Sequence, residues 1–290
     1  MSNDNVPNPL KEMTMTQLLY DHYELDSIKY VIDMHRHLLR SLDNILPKED
    51  PIRNKKIAIF RYEIIARFCH FAEALGALIR AFYLVKKDKS PSTSLTNKHP
   101  LQILDLVSKY YPGDIPKFYE ELKTNIDDEN LIKIFGYDYI DKTQHYNIIS
   151  NSIKNIKKIL NDEISPCYLY LKESYNAYKH GYRIWPAIEY NVNSELIIYR
   201  DKYSSSTLSF PDITSWNEFK DKYVIMTDDP SLDVITNNLS QYCLDLFFLL
   251  RDNNKEVFNR ISGKNHSETL KLKILDDNLK LKNIQMVRNH

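Results

Sequence analysis

The chain has 290 residues, of which 43% are apolar and 27% are charged, the proportions of an ordinary soluble globular protein. Its 39 lysine and arginine residues balance 39 aspartate and glutamate residues, which excludes attraction to a polyanion or a membrane through overall charge. Any such site must therefore be a local patch. Five glycines accompany 21 tyrosines, a composition that disfavours turn-rich β folds and favours long helices.

The cysteines and the most apolar segment indicate a cytoplasmic protein. Cys69, Cys167 and Cys243 lie far apart among apolar neighbours and lack metal-ligand spacing, which is typical of buried, reduced thiols. Residues 1–13 lack the layout of a signal peptide, and we expect them to form a flexible tail. Residues 57–85 are apolar but interrupted by charged side chains, which argues against a membrane span.

Apolar periodicity predicts helices through the first half of the chain. A helical pattern runs from about Thr14 to Ile45. In the next helix, apolar side chains recur at steps of three and four and define one stripe: Ile57, Phe60, Ile64, Phe68, Phe71, Leu75, Leu78 and Phe82. Shorter helices are predicted for residues 100–110 and 115–124.

A long helix is predicted to begin near Tyr146 and to be interrupted at Pro166. Proline has no backbone N–H, and its ring crowds the preceding turn, so we expect a kink or a break there. A second helix then runs to His180, and Gly181 suits the left-handed position that commonly follows a helix end.

The sequence changes period after this helix. Residues from about 184 to 228 alternate in a way that predicts a small β-hairpin or meander. A last core helix follows from Leu232 to Leu249, and residues 263–290 are predicted only as a charged C-terminal segment. We therefore expect a mainly α protein: one helical-bundle domain over residues 14–262, with a β insertion before its last core helix.

The helix before Gly181 has two chemically different sides. On a helical wheel, one side carries an aromatic stripe that should face the core: Tyr168, Leu171, Tyr175 and Tyr178. Another side is polar: Lys172, Glu173, Asn176 and His180. The negative end of the helix dipole favours a protonated imidazole at His180. A lysine and a histidine directly before a glycine, such as Lys179 and His180, are also common because they cap the end of a helix. His180 can therefore be interpreted as a functional residue or as part of a helix cap.

These residues carry a resemblance to the HEPN superfamily of helical domains, found in many RNA-cleaving toxins and defence proteins. The family motif is an arginine, four to six residues and a histidine, often with asparagine directly after the arginine. In HEPN proteins paired with minimal nucleotidyltransferases, any residue and a tyrosine follow the histidine. Asn176, His180 and Tyr182 match this pattern, whereas Tyr175 occupies the arginine position.

The resemblance implies a metal-independent endoribonuclease of a defence or toxin–antitoxin system, without a cofactor. It implies a homodimer that acts on RNA and has an antitoxin-like protein partner. His180 would be the general acid or base, Asn176 would orient it or the phosphate, and Arg183 would supply positive charge. Four further side chains would contact RNA: Lys179, Tyr182, Lys172 and Arg67.

Two observations keep other interpretations open. Tyrosine cannot grip a phosphate as arginine does, so Tyr175 favours a non-catalytic protein-interaction or dimerisation module as the alternative function. Arg67 stands four residues after Glu63, which equally predicts an ordinary ion pair on a half-exposed helix face. No metal site is expected, because His70-x-x-Glu73 reverses the order of ligands in di-iron bundles.

Overall fold

The computed structural model describes the chain in the following ranges: 14–45, 47, 53–87, 99–111, 113–179, 184–187, 197–201, 223–227, 232–264 and 267–287. The chain divides into two compact units, one of residues 1–26, 73–163 and 243–290, the other of residues 27–72 and 164–242. Compactness alone does not decide whether the units fold independently. The single domain over residues 14–262 therefore stays a prediction.

The described residues are mainly helical, which confirms the predicted fold class. The helices in chain order are α1 (Met15–Tyr20), α2 (Asp26–Ile45), α3 (Arg53–Lys86), α4 (His99–Ser108), α5 (Asp114–Thr124), α6 (Asp128–Ile134), α7 (Lys142–Lys158), α8 (Ser165–Lys179) and α9 (Leu232–Ile261). The pattern from Thr14 onward is two helices rather than one. Thr14 caps α1, because its side chain accepts the backbone N–H of Gln17.

Where a kink or a break was predicted at Pro166, the helical conformation continues but changes its type. The chain passes from α7 into α8 through a π-helical segment, Ile159–Ile164, directly before Ser165. A π turn is wider than an α turn and leaves a looser hydrogen-bond ladder. The π-helical segment therefore accommodates Pro166, whose ring would crowd the preceding turn of a regular α-helix and whose nitrogen has no hydrogen to donate.

The apolar stripe of α3 is confirmed as a core-forming surface. Six of its eight residues are at most 2% exposed, whereas Ile57 and Phe60 near the start of the helix are half-buried. Residues outside the stripe, such as Ile65 and Ile79, are buried as well. Among the described helices one segment, Ile59–Lys86, is apolar and long enough to cross a membrane, and most of it is buried inside the protein, as in the core helix of a soluble protein.

The predicted β insertion is confirmed as a three-stranded antiparallel sheet in the order β1 (Ile184–Ala187), β2 (Ile197–Asp201) and β3 (Tyr223–Thr227). Trp185 pairs with Tyr199, which in turn pairs with Ile225. β1 contacts α8, the helix that carries the resemblance, and is the next described element after it in the chain.

The sequence analysis assigned no secondary structure to the C-terminal segment, where the structure has a second antiparallel hairpin. β4 (Thr269–Leu275) pairs with β5 (Leu281–Val287), and both strands contact α7. The end of β5 is fixed to the beginning of α7, because Val287 N–H donates to His145 Nε2 at 3.0 Å and Asp141 N–H donates to the Val287 carbonyl at 3.0 Å. The hairpin is thus an integral part of its unit.

Candidate functional site

The aromatic side of α8 packs into the protein as predicted. Tyr168, Leu171 and Tyr175 are 2%, 3% and 5% exposed, respectively. The side chain of Tyr178, the fourth member of this side, lies outside the described residues. Tyr175, which stands at the position of the HEPN arginine, is therefore buried on the inward side of the helix. A side chain in this place cannot meet a phosphate in solvent.

The polar side of α8 faces water where the structure describes it. Lys172 is half-exposed, and Asn176 is exposed. Residues four apart lie next to each other on one helix surface, so the Lys172 ammonium and the Asn176 amide share a face. Asn176 is the one motif position whose side chain the structure describes as open to solvent. The other predicted positions at this helix end lie outside the described residues: the side chain of Lys179, and His180, Tyr182 and Arg183.

Arg67 makes the ion pair that its spacing indicated. Its Nε lies 3.7 Å from Glu63 Oε2, with both side chains partly exposed. At 3.7 Å the two atoms do not form a hydrogen bond, and a partly exposed i, i+4 ion pair of this kind contributes at most about 0.5 kcal/mol. The geometry matches the ordinary interpretation of Arg67. A role of this guanidinium in binding RNA stays a prediction.

Metal-ligating residues do not cluster in the part of the chain that the structure describes. No group of three or more histidine, cysteine, aspartate or glutamate side chains there could hold an ion. On α3, Glu73 is buried, whereas His70 is half-buried. The three cysteines are free thiols, of which Cys69 and Cys243 are buried and Cys167 is half-buried.

A buried lysine forms a polar site that sequence reasoning missed. Lys86, the last residue of α3, is fully buried, and its Nζ donates to the Lys133 carbonyl and to Asn254 Oδ1, each at 2.6 Å. Burial lowers the pKa of Lys86, because desolvation disfavours the charged form, and the negative charge of Asp138 opposes that shift. The Lys86 Nζ therefore links the ends of α3 and α6 to α9.

A second buried network surrounds Asn253 on α9. Its amide donates to the Phe135 carbonyl at 3.1 Å and to the Lys273 carbonyl at 3.0 Å, and its oxygen accepts Lys273 N–H at 2.6 Å. The Tyr137 hydroxyl donates to the same Lys273 carbonyl at 2.7 Å and lies 3.1 Å from Ser152 Oγ. Burial raises the pKa of Tyr137 above its ordinary range. The network holds β4 against the helices.

Both networks consist of groups that hydrogen-bond one another rather than point into open space, which is typical of structural polar cores. Tyr23 and Tyr110 are half-buried phenols outside these networks. Burial raises the pKa of each to about 12, with smaller contributions from Tyr110 to the first and from Glu73 to the second. These phenols stay neutral near pH 7. Asn253 and Asn254 stand between Arg251-Asp252 and Lys255-Glu256, so the local sequence carries no signal that these two side chains are buried.

Comparisons with known proteins give no match: no protein-family model fits the chain, and neither a curated protein nor a solved structure shows significant similarity to it. The resemblance to the HEPN superfamily is therefore carried by Asn176, His180 and Tyr182 in this sequence.

Proposed function

We propose that the chain is a HEPN-like helical protein that acts on RNA at the C-terminal end of α8. The orientation of this helix supports the proposal. Its tyrosines are buried on one side, whereas Lys172 is half-exposed and Asn176 is exposed on the other. His180 lies outside the described residues, but it follows Asn176 by four positions, and helical periodicity predicts it on the same side. An amide and an ammonium on this side, with an imidazole predicted next to them, suit a phosphodiester.

The proposed reaction is metal-independent cleavage. His180 takes the proton of a ribose 2′-hydroxyl, the 2′-oxygen bonds to the adjacent phosphorus, and the bond from phosphorus to the 5′-oxygen breaks. A proton returns to the leaving 5′-oxygen, which leaves a 2′,3′-cyclic phosphate and a 5′-hydroxyl. Asn176 orients the ring or a phosphate oxygen, and Arg183 compensates the developing negative charge. Lys179, Tyr182 and Lys172 hold the strand.

The test is cleavage of a labelled single-stranded RNA in excess EDTA by the wild type and by His180→Ala. Loss of a general acid or base typically lowers the rate by about a hundredfold or more. His22→Ala is the matched control, because His22 is an exposed histidine outside α8. The product should carry a cyclic phosphate. Equal cleavage by the wild type and His180→Ala would refute the assignment of the catalytic residue.

A non-catalytic interaction module is the second candidate, and the burial of Tyr175 favours it. Where the family has an arginine fork for phosphate, this helix has a buried tyrosine. This candidate predicts no cleavage and no RNA binding in fluorescence anisotropy at about 50 mM salt, where contacts to phosphate are strongest. Binding that weakens in Lys172→Ala, with or without cleavage, would contradict it.

A further inference from the structure

The last residue of β5 is held by α7 rather than by its partner strand. Val287 stands opposite Thr269 of β4, and the backbone groups of alternate residues point to opposite sides of a strand. The N–H groups of Lys273 and Leu275 donate to helix side chains and therefore point away from β5. Thr269 lies an even number of positions before both, so the register places no backbone hydrogen bond between Thr269 and Val287.

Two hydrogen bonds join Val287 to the beginning of α7. Asp141 N–H donates to the Val287 carbonyl, and Val287 N–H donates to His145 Nε2, each at 3.0 Å. A backbone N–H can only donate, so Nε2 carries a free electron pair and the proton of the neutral ring is on Nδ1. The imidazole is half-buried, so protons from solvent can reach it. The bond to Val287 thus requires one charge state and one tautomer of His145.

We propose that His145 is a pH-sensitive latch that releases the end of β5 in acid. Protonation of Nε2 converts the acceptor into a donor, so the Val287 N–H then faces a second N–H and its hydrogen bond is lost. Histidine is the side chain whose charge ordinarily changes between about pH 5 and 8. The latch is therefore closed while the ring is neutral, and it opens as the pH falls through this interval. The inference does not depend on RNA cleavage.

Asp141 provides an alternative partner for the protonated ring. It precedes His145 by four residues, and an electrostatic interaction connects the two side chains. Hydrogen bonds from Thr143 hold the pKa of the Asp141 carboxyl below its ordinary value of 3.8, so this carboxylate keeps its negative charge throughout the interval in which a histidine titrates. Only the imidazole changes charge. In acid, its positive charge faces the Asp141 carboxylate and the Val287 N–H, of which it attracts the first and repels the second.

Other charged groups lie at the same end of the hairpin or at the far end of α7. Two residues of opposite sign stand at the beginning of β4: Glu268 and Lys271. Helix α6 packs against α7 as well, but Asp128 at its start pairs with Lys157 near the other end of α7, at 2.5 Å. Two further ionisable residues follow Val287 and lie outside the described residues: Arg288 and His290.

Hydrogen exchange of the Val287 amide, followed by NMR on the full chain, measures the latch. Loss of one hydrogen bond should lower its protection about tenfold between about pH 7.5 and about pH 5. Met286 is the internal reference, because its N–H bonds to Leu270 in the ladder and should stay protected at both pH values. The ring nitrogen signals of His145 should show the Nδ1–H tautomer at the higher pH.

Two substitutions of His145 separate the latch from a structural role of the ring. His145→Gln places an amide oxygen near the position of Nε2, an acceptor that does not titrate, so Val287 should stay protected at both pH values. His145→Phe keeps the ring but has no acceptor, so Val287 should exchange fast at both. His22→Gln is the matched control, because His22 is exposed and lies outside α7, and it should keep the pH dependence of the wild type.

Three results would overturn the proposal. The first is a wild-type Val287 amide that is equally protected at the two pH values. The second is a His145→Gln protein in which Val287 loses protection in acid as it does in the wild type. The third is a parallel loss of protection at Met286, which would mean that the whole hairpin opens and not its end.

Discussion

Replacing Asn253 by aspartate changes hydrogen-bond polarity at a buried position while almost preserving the shape of the side chain. In the native chain, one oxygen accepts Lys273 N–H at 2.6 Å, and the amide nitrogen donates to the carbonyls of Phe135 and Lys273 at 3.1 and 3.0 Å. The new carboxylate would keep the acceptor. Its second oxygen would replace the donor and would stand about 3 Å from two carbonyl oxygens.

The expected loss of stability follows from these three contacts. Two donor bonds disappear, each with a net value of about 1 kcal/mol, and both carbonyls lose a partner in a buried place. The Lys273 carbonyl still accepts from Tyr137, so the larger penalty falls on Phe135 and on the buried charge itself. Together we expect Asn253→Asp to lower the free energy of unfolding by about 3–5 kcal/mol at pH 7.5.

The loss should depend on pH in a defined direction. Burial between two carbonyls raises the pKa of a carboxyl in the folded state above its unfolded value, so the variant is least destabilised in acid and loses stability as pH rises through that interval. Urea denaturation of the variant and the wild type at about pH 4.5 and about pH 7.5 measures the difference. Asn238→Asp, an exposed asparagine on α9, should stay within about 0.5 kcal/mol of the wild type. An Asn253→Asp protein as stable as the wild type at the higher pH would show that the reasoning is wrong.

Two further predictions concern packing and the second hairpin. Gly76→Ala places a methyl group 2.9 Å from both Ile115 Cγ2 and Tyr119 Cε2. Overpacking should cost about 1–3 kcal/mol and outweigh the gain of about 1 kcal/mol in helix propensity, so urea denaturation should show a destabilised variant. Gly113→Ala, which has open space around the new methyl group, should be neutral. A hydrogen bond from Lys282 and backbone N–H groups hold the pKa of Asp276 below its ordinary value of 3.8. The ionised Asp276 carboxylate therefore stabilises the folded state fully above pH 3.8, and this stabilisation is lost as the pH falls through the lowered pKa. The difference in melting temperature between the wild type and Asp276→Asn should therefore shrink in acid.

The elements predicted correctly from the sequence are those whose apolar residues recur at a single, regular spacing. The stripe from Ile64 to Phe82 recurs at helical steps, and a helix that buries such a stripe needs no information from distant residues. The β insertion was visible for the same reason, because its alternation changes the period abruptly after Gly181.

The C-terminal hairpin was missed although β4 carries a strand signal. Leu270 and Leu272 are buried and lysines alternate with them, which is the period of a half-buried strand, but the sequence analysis interpreted this segment from its charged composition. Its turn depends on Asp276, whose carboxylate accepts the N–H groups of Asn278 and Lys280 at 2.9 Å, and on Leu279 in the left-handed region at φ 57°. A leucine in that conformation gives no sequence signal for a turn, unlike glycine or asparagine.

At the candidate site, helical periodicity correctly predicted the burial of Tyr168, Leu171 and Tyr175. It also correctly predicted that Asn176 lies on a solvent-facing side. The networks around Lys86 and Asn253 could not be predicted, since their partners are far apart in the chain: Asn253 and Phe135 are separated by 118 positions. Periodicity reports what is buried but carries no information on which distant carbonyl a buried amide will meet.

The burial of Tyr175 limits which positions of this helix could supply a positive charge. At an exposed position, a single substitution can exchange an aromatic ring for a guanidinium with little effect on folding. At position 175 the same exchange would bury a permanent cation and would destabilise the protein. An arginine engineered at this position would therefore lower the stability of the helix before it could contact a phosphate, and a cation for the proposed reaction has to come from another residue.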